Sequence, residues 1–177
     1  MLNQNLVRRG LVVALLAASA PAAYAQQYVE RELTVGASSA CVPFFSTTQA
    51  RYSATGMRNA GTSQFYASCS AQAGWGGDHD SGSRKVDIVA RNLTDAPVKV
   101  SCTLRPGYVE GSSTSQGSFP QSYTIPAGAQ HWFEWYRSSM WPESPELYIA
   151  NPNFTCTVPA GVEITHLNLY MYENVGN

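Results

Sequence analysis

Residues 84–105 read RKVDIVARNLTDAPVKVSCTLR. Val86, Ile88 and Ala90 alternate with Lys85, Asp87, Val89 and Arg91. Val98, Val100, Cys102 and Leu104 alternate with Lys99, Ser101, Thr103 and Arg105. Strict alternation of this kind is the period of a half-buried β-strand, not of a helix. Thr94-Asp95-Ala96-Pro97 between them is rich in turn residues. The two segments therefore predict an antiparallel hairpin with one wet face.

The same pattern extends in both directions. Further strands are expected at Glu32–Val35, Arg51–Met57, Gln64–Gln72, Ser122–Ile125, Gln130–Arg137, Leu147–Ala150, Phe154–Val158 and Glu163–Glu173. Gly, Pro, Ser and Thr interrupt the chain about every ten residues, and no helix-period segment of useful length survives. Eight or nine short strands drawn from these ten segments, of which Ser122–Ile125 is the weakest, imply an all-β fold: a single antiparallel two-sheet β-sandwich, jelly-roll or Greek-key-like. A closed barrel is the alternative. GSSTSQGS at 111–118 reads as a loop within the domain.

Four cysteines occur, Cys41, Cys69, Cys102 and Cys156. No C-x-x-C pair exists, which disfavours zinc and favours two disulfides. Three connectivities are open. Inward-facing cysteines in VKVSCTL and FTCTV favour Cys102–Cys156, which leaves Cys41–Cys69.

The compartment follows from the start of the chain. Arg8-Arg9 precedes the apolar run LVVALLAA at 11–18, and Ala23-Tyr24-Ala25 supplies an A-x-A cleavage pattern. Residues 1–25 thus read as a bacterial Sec signal peptide and 26–177 as the domain, secreted or periplasmic. The arginine pair also loosely resembles a twin-arginine signal, but disulfides disfavour export of a chain folded in a reducing cytoplasm. No later run is long and apolar enough to be a transmembrane segment. Removing the leader's two arginines leaves 9 basic and 12 acidic residues, a net charge of −3. That excludes a polybasic nucleic-acid binder. With 13% charged and 44% hydrophobic residues, disorder is excluded too. In a bacterial chain, Asn92-Leu93-Thr94 and Asn153-Phe154-Thr155 are incidental sequons.

Several segments form a familiar set: Cys41-Val42-Pro43, a strand ending in Cys69, VDIVARNLTDAPVKVSCTL, FTCTVP and the closing LNLYMYE. Across residues 40–173 the chain resembles a group of small four-cysteine secreted proteins of Gram-negative bacteria. The resemblance implies a β-sandwich outside the cytoplasm and carries no activity with it. The Trp-rich 131–141 segment departs from that pattern.

Three places can carry chemistry. In WGGDHDSGS at 75–83, Asp78 and Asp80 can offer alternate oxygens to calcium, although the distal bidentate glutamate is missing. The same residues equally make a solvated turn. Calcium is the one cofactor candidate; no other cofactor motif occurs.

The second place is aromatic: His131, Trp132, Phe133, Trp135, Tyr136, Trp141 and Tyr148. On a strand, His131, Phe133, Trp135 and Arg137 share one face, and Trp132, Glu134 and Tyr136 the other. One face should be core. Exposed Trp and Tyr beside Glu134 suit sugar rings, so Trp132, Glu134, Trp135, Tyr136 and Trp141 are the candidate ligand-binding residues. Aromatics are also ordinary strand residues.

The third is catalytic. Glu134, Glu143 and Glu146 offer carboxylates for a glycosidase pair. No G-x-S-x-G or H-E-x-x-H motif occurs, and His79, His131 and His166 are scattered. No catalytic residue is assigned. The leading expectation is a non-enzymatic binding or interaction protein, its partner a glycan or a cell-envelope component. A carbohydrate-binding module, a small secreted hydrolase and a structural envelope protein offering a sheet edge are the alternatives.

Overall fold

The computed structural model describes residues 28–72, 83–106, 117–143, 149 and 151–174. The signal-peptide segment, the Asp78–Asp80 loop, most of 111–118, and Glu146 and Tyr148 lie outside them. Among the described residues the chain forms eleven strands. They are β1 (Tyr28–Gly36), β2 (Cys41–Pro43), β3 (Ala50–Ser53), β4 (Gly56–Asn59), β5 (Phe65–Ser70), β6 (Ser83–Asn92), β7 (Val98–Arg105), β8 (Phe119–Ile125), β9 (Gln130–Tyr136), β10 (Asn153–Val158) and β11 (Val162–Asn174). One-turn helices occupy Ala37–Ala40 and Arg137–Met140.

The strands make two antiparallel sheets, an all-β sandwich. The larger runs β3-β4-β11-β6-β9, with β1 also on β11; the smaller runs β2-β5-β10-β7-β8. The expected hairpin of residues 84–105 does not form. β6 pairs with β9 and β11, and β7 with β8 and β10, so the chain crosses between sheets at 93–97. Asn92, fully buried, decides this crossing. Its Nδ2 donates to the carbonyls of Ala96 (2.7 Å), Ile125 (3.0 Å) and Pro126 (3.1 Å), and its Oδ1 accepts from Thr94 N and Oγ1. The crossing loop is thereby tied to β8 of the opposite sheet. The sequon at Asn92 is thus a buried structural amide. Asn59 at the end of β4 acts alike, donating to Ser63 O and to Val158 O of β10.

The Arg51–Met57 segment is also divided, into the β3-β4 hairpin. Gly56 has φ 154°, and a Cβ there would lie 2.1 Å from the Ile164 carbonyl oxygen. Only glycine allows β11 to approach so closely.

The core lies between the sheets. Val86, Ile88, Phe133, Trp135, Leu167 and Leu169 come from the larger sheet; Val100, Leu104, Ile125, Phe154 and Val158 from the smaller. Trp135 meets Phe154 across the gap, ring centroids 5.4 Å apart. Both disulfides, Cys41–Cys69 and Cys102–Cys156, are buried and join register partners on neighbouring strands of the smaller sheet. The favoured pairing is the one formed.

Candidate functional site

Alternation places Phe133 and Trp135 of β9 in the core and turns Trp132, Glu134 and Tyr136 outward. Trp132 is 42% and Tyr136 43% exposed, whereas Trp135 is 3% exposed. Trp135 is therefore a core residue, reaching the surface only at its edge. Its Nε1 donates to Phe119 O at 2.9 Å, and Gln121 Nε2 donates to Glu134 O at 2.7 Å, so side chains latch the edge strands β8 and β9 of the two sheets. Trp141 is half-buried and packs edge-on against Phe119, centroids 5.8 Å apart, away from Trp132. A cleft of about 330 Å³ beside this latch is lined by Phe119, Gln121, Glu134, Trp135, Tyr136 and Met140.

Register builds the rest of the outward face from strands distant in sequence. Tyr136 lies opposite Lys85, and Lys85 opposite Tyr170. Glu134 lies opposite Asp87, and Asp87 opposite Asn168. Trp132 lies opposite Val89, and Val89 opposite His166. Aromatic rings thus flank a polar centre.

That centre is hydrogen-bonded across four strands. Thr34 Oγ1 of β1 donates to Asn168 Oδ1 at 2.8 Å, and Asn168 Nδ2 donates to Asp87 Oδ1 at 2.9 Å. Lys85 Nζ lies 3.7 Å from Asp87 Oδ2 and forms a close ion pair with Glu134. Tyr136 Oη donates to Glu134 Oε2 at 3.4 Å. The Lys85 ammonium also sits over two rings, 4.6 Å from the centroid of Tyr170 and 5.4 Å from that of Tyr136, a cation–π geometry.

Burial sets the electrostatics. The Asp87 side chain is 0% exposed. Desolvation raises its carboxyl above the usual carboxylate range; Lys85, Tyr170 and Asn168 pull it back, and Glu134 pushes it further up. Asp87 Oδ2 has no hydrogen bond of good geometry, although the Tyr170 hydroxyl and Lys85 stand beside it. Burial, then the charge of Asp87, pushes the Tyr170 hydroxyl up to about 12. For Lys85, burial works against the charge, but the bonded Glu134 carboxylate holds its ammonium above the ordinary lysine value. His131, stacked on Tyr123 at 3.7 Å, is lowered by burial.

The arrangement offers stacking surfaces together with hydroxyl, amide, ammonium and carboxylate groups on one plane. Sequence reasoning found the β9 residues and missed Lys85, Asp87, Asn168 and Tyr170. Their signal was only the outward phase of β6 and β11. Glu143 is exposed, in the turn that follows the Arg137–Met140 helix. Asp78 and Asp80 lie outside the described residues. Among the described residues, no group of three His, Cys, Asp or Glu is placed to hold a metal ion.

No family model and no curated protein matches the chain. Solved structures show a weak similarity. A xylan-binding module, CBM15, has 11% identity over 81% of this chain and 97% of its own, at a TM-score of 0.38. TmCBM61 in complex with β-1,4-galactotriose has 10% identity over 81% and 88%, at 0.32. The Podospora anserina GH26-CBM35 β-(1,4)-mannanase has 11% identity over 79% of this chain at 0.36, and the chain spans 27% of that protein.

Proposed function

We propose that this is a secreted or periplasmic protein that binds a glycan, without cleaving it, on the outer face of the larger sheet. The observation that carries the reading is the company of Trp132, Tyr136 and Tyr170. They stand on two strands, β9 and β11, around Lys85, Asp87, Glu134 and Asn168, so sugar ring faces can stack while hydroxyls find donors and acceptors. The buried disulfides fit an oxidising compartment. Isothermal titration or a glycan array tests it. Trp132→Ala should weaken binding by about tenfold, roughly 1.4 kcal/mol, the scale of one stacked ring. Its melting temperature should stay unchanged, because Trp132 is exposed. Wild-type protein that binds no glycan at high concentration overturns the reading.

A second reading rests on the register pairing of Asp87 with Glu134, two carboxyls on adjacent strands, one pushed toward its protonated form. That is the division of labour in a glycosidase pair. The Lys85 ion pair opposes it by holding Glu134 away from a free role. Glycan turnover abolished by Glu134→Gln, with folding intact, would favour the hydrolase.

A further inference from the structure

Beyond Trp132 the outward face ends in a row of charge. Arg51 lies opposite Arg58, Arg58 opposite Glu163, Glu163 opposite Arg91, and Arg91 opposite Gln130, on five adjacent strands. Like charges directly opposite on a sheet repel, so Arg51 against Arg58 is unfavourable as it stands. Glu163 is the sole carboxylate in the row. It is 5% exposed, and its Oε1 accepts from Thr55 Oγ1 at 2.8 Å and Ser53 Oγ at 3.4 Å. Three guanidinium residues thus stand in a row with a single buried carboxylate, whose oxygen is taken by hydroxyls.

The three arginines are not equivalent. Arg51 Nη1 is held by the carbonyls of Thr48 (2.6 Å) and Ala50 (3.1 Å). Arg58 and Arg91 are exposed, and among the described residues their side chains make no ion pair or hydrogen bond. Guanidinium forks match the paired oxygens of a carboxylate or a sulfate. Position links them to the aromatic face. Trp132 pairs with Val89, so Arg91, two residues further along β6, is its diagonal neighbour, about 7–8 Å away. A sugar stacked on Trp132 brings its ring substituents within reach of that fork. The other end of the face carries Glu30, Glu32, Asp87 and Glu134 against Lys85, which disfavours an anion there.

We propose that Arg58 and Arg91 form an anion subsite at this end of the face, selecting a glycan that carries a carboxylate or sulfate group. This rests on the glycan reading above and adds the class of glycan. The test is titration of the full chain with matched polymers: polygalacturonate against its methyl ester, and a sulfated galactan against the desulfated one. At low ionic strength, wild type should bind one charged member about tenfold more tightly than its uncharged counterpart, the scale of a charge-assisted bidentate contact. Whichever pair shows the preference identifies carboxylate or sulfate. In the R58Q/R91Q double variant the preference should vanish while affinity for the uncharged counterpart holds. Trp132→Ala should weaken both members. Equal affinity for both members in wild type, or a preference that survives R58Q/R91Q, overturns the subsite and leaves glycan binding standing. Arginine-dependent binding whose affinity for both members is unchanged in Trp132→Ala overturns the glycan reading instead. No binding of any polymer removes both.

Discussion

The two sheets turn very different surfaces to solvent. The larger presents long aromatic and charged side chains in rows, tied through Thr34, Asn168, Asp87, Lys85 and Glu134. The smaller presents mainly hydroxyls, those of Ser68, Ser101, Thr103, Ser122, Thr155 and Thr157, with Tyr66 and Lys99 exposed among them. The hydroxyls of Ser101, Ser122 and Thr157 are occupied by one another and by the backbone. Ser101 and Ser122 share a bond of 2.6 Å, and Ser101 N donates to Thr157 Oγ1 at 2.9 Å. Beneath that surface lie both disulfides. The smaller sheet is therefore the covalently braced support. The larger carries groups, notably Asp87 Oδ2, Arg58 and Arg91, whose bonding capacity the fold does not use up.

The sharpest way to break this division is to weaken the brace. Cys102→Ala with Cys156→Ala opens a loop with sequence separation 54, and Cys41→Ala with Cys69→Ala one of 28. Chain entropy gives losses of about 4 and about 3.5 kcal/mol respectively. Denaturant unfolding should show this order, while glycan affinity of the still-folded fraction stays at the wild-type value. A change in affinity would mean that the two sheets are energetically one unit.

A smaller effect belongs to Asp87. Its folded carboxyl titrates above the unfolded one, so the native state holds the extra proton between the two values. Stability therefore falls as pH rises from the unfolded value, near 3.8, through the raised folded one. Asp87→Asn keeps an oxygen for Asn168 and removes the titration. Its melting temperature should gain on wild type from pH 4 to pH 7. An identical pH profile in the two proteins would show that Asp87 ionises without strain.

The smallest effect is expected on the hydroxyl face. Thr157→Val preserves the branched shape but leaves Ser101 N without its side-chain acceptor. The cost should be about 1 kcal/mol in thermal unfolding, with no change in binding. A loss of binding there would move the ligand surface to the other sheet.

These contrasts were unevenly legible in the chain. Alternation in 84–92 and 130–136 sorted each strand's side chains into two faces, and the faces of Ile88 and Phe133 are the inner ones. It did not tell which strands meet. Residues 84–105 have the pattern of a hairpin, yet a short polar connection serves a turn or a crossing equally well. The Asn92 amide, bonded to Ile125 and Pro126 over thirty residues away, selects the crossing. The site was hidden for the same reason. Lys85 meets Glu134, and Asp87 meets Asn168, only through the register of β6 with β9 and β11. Period-two patterning holds no information about such pairings. Alternation put Trp132 and Trp135 on opposite faces, and the packing of Trp135 against Phe154 and the Phe119 carbonyl decides which face is core.

The buried amides of Asn59 and Asn92 bind the two sheets at one end of the sandwich. At that end the strands are joined by the short spans 60–64, 93–97, 126–129 and 159–161; at the other, by 71–82, 106–118 and 137–152. Closing a short loop costs less entropy than closing a long one. Folding should therefore begin at the asparagine end and proceed like a zip toward the other. For protein engineering the same asymmetry has a practical sense: foreign loops inserted between 72 and 83 or between 106 and 117 meet a sandwich whose opposite end is already closed, whereas 137–152 carries Ile149 of the core.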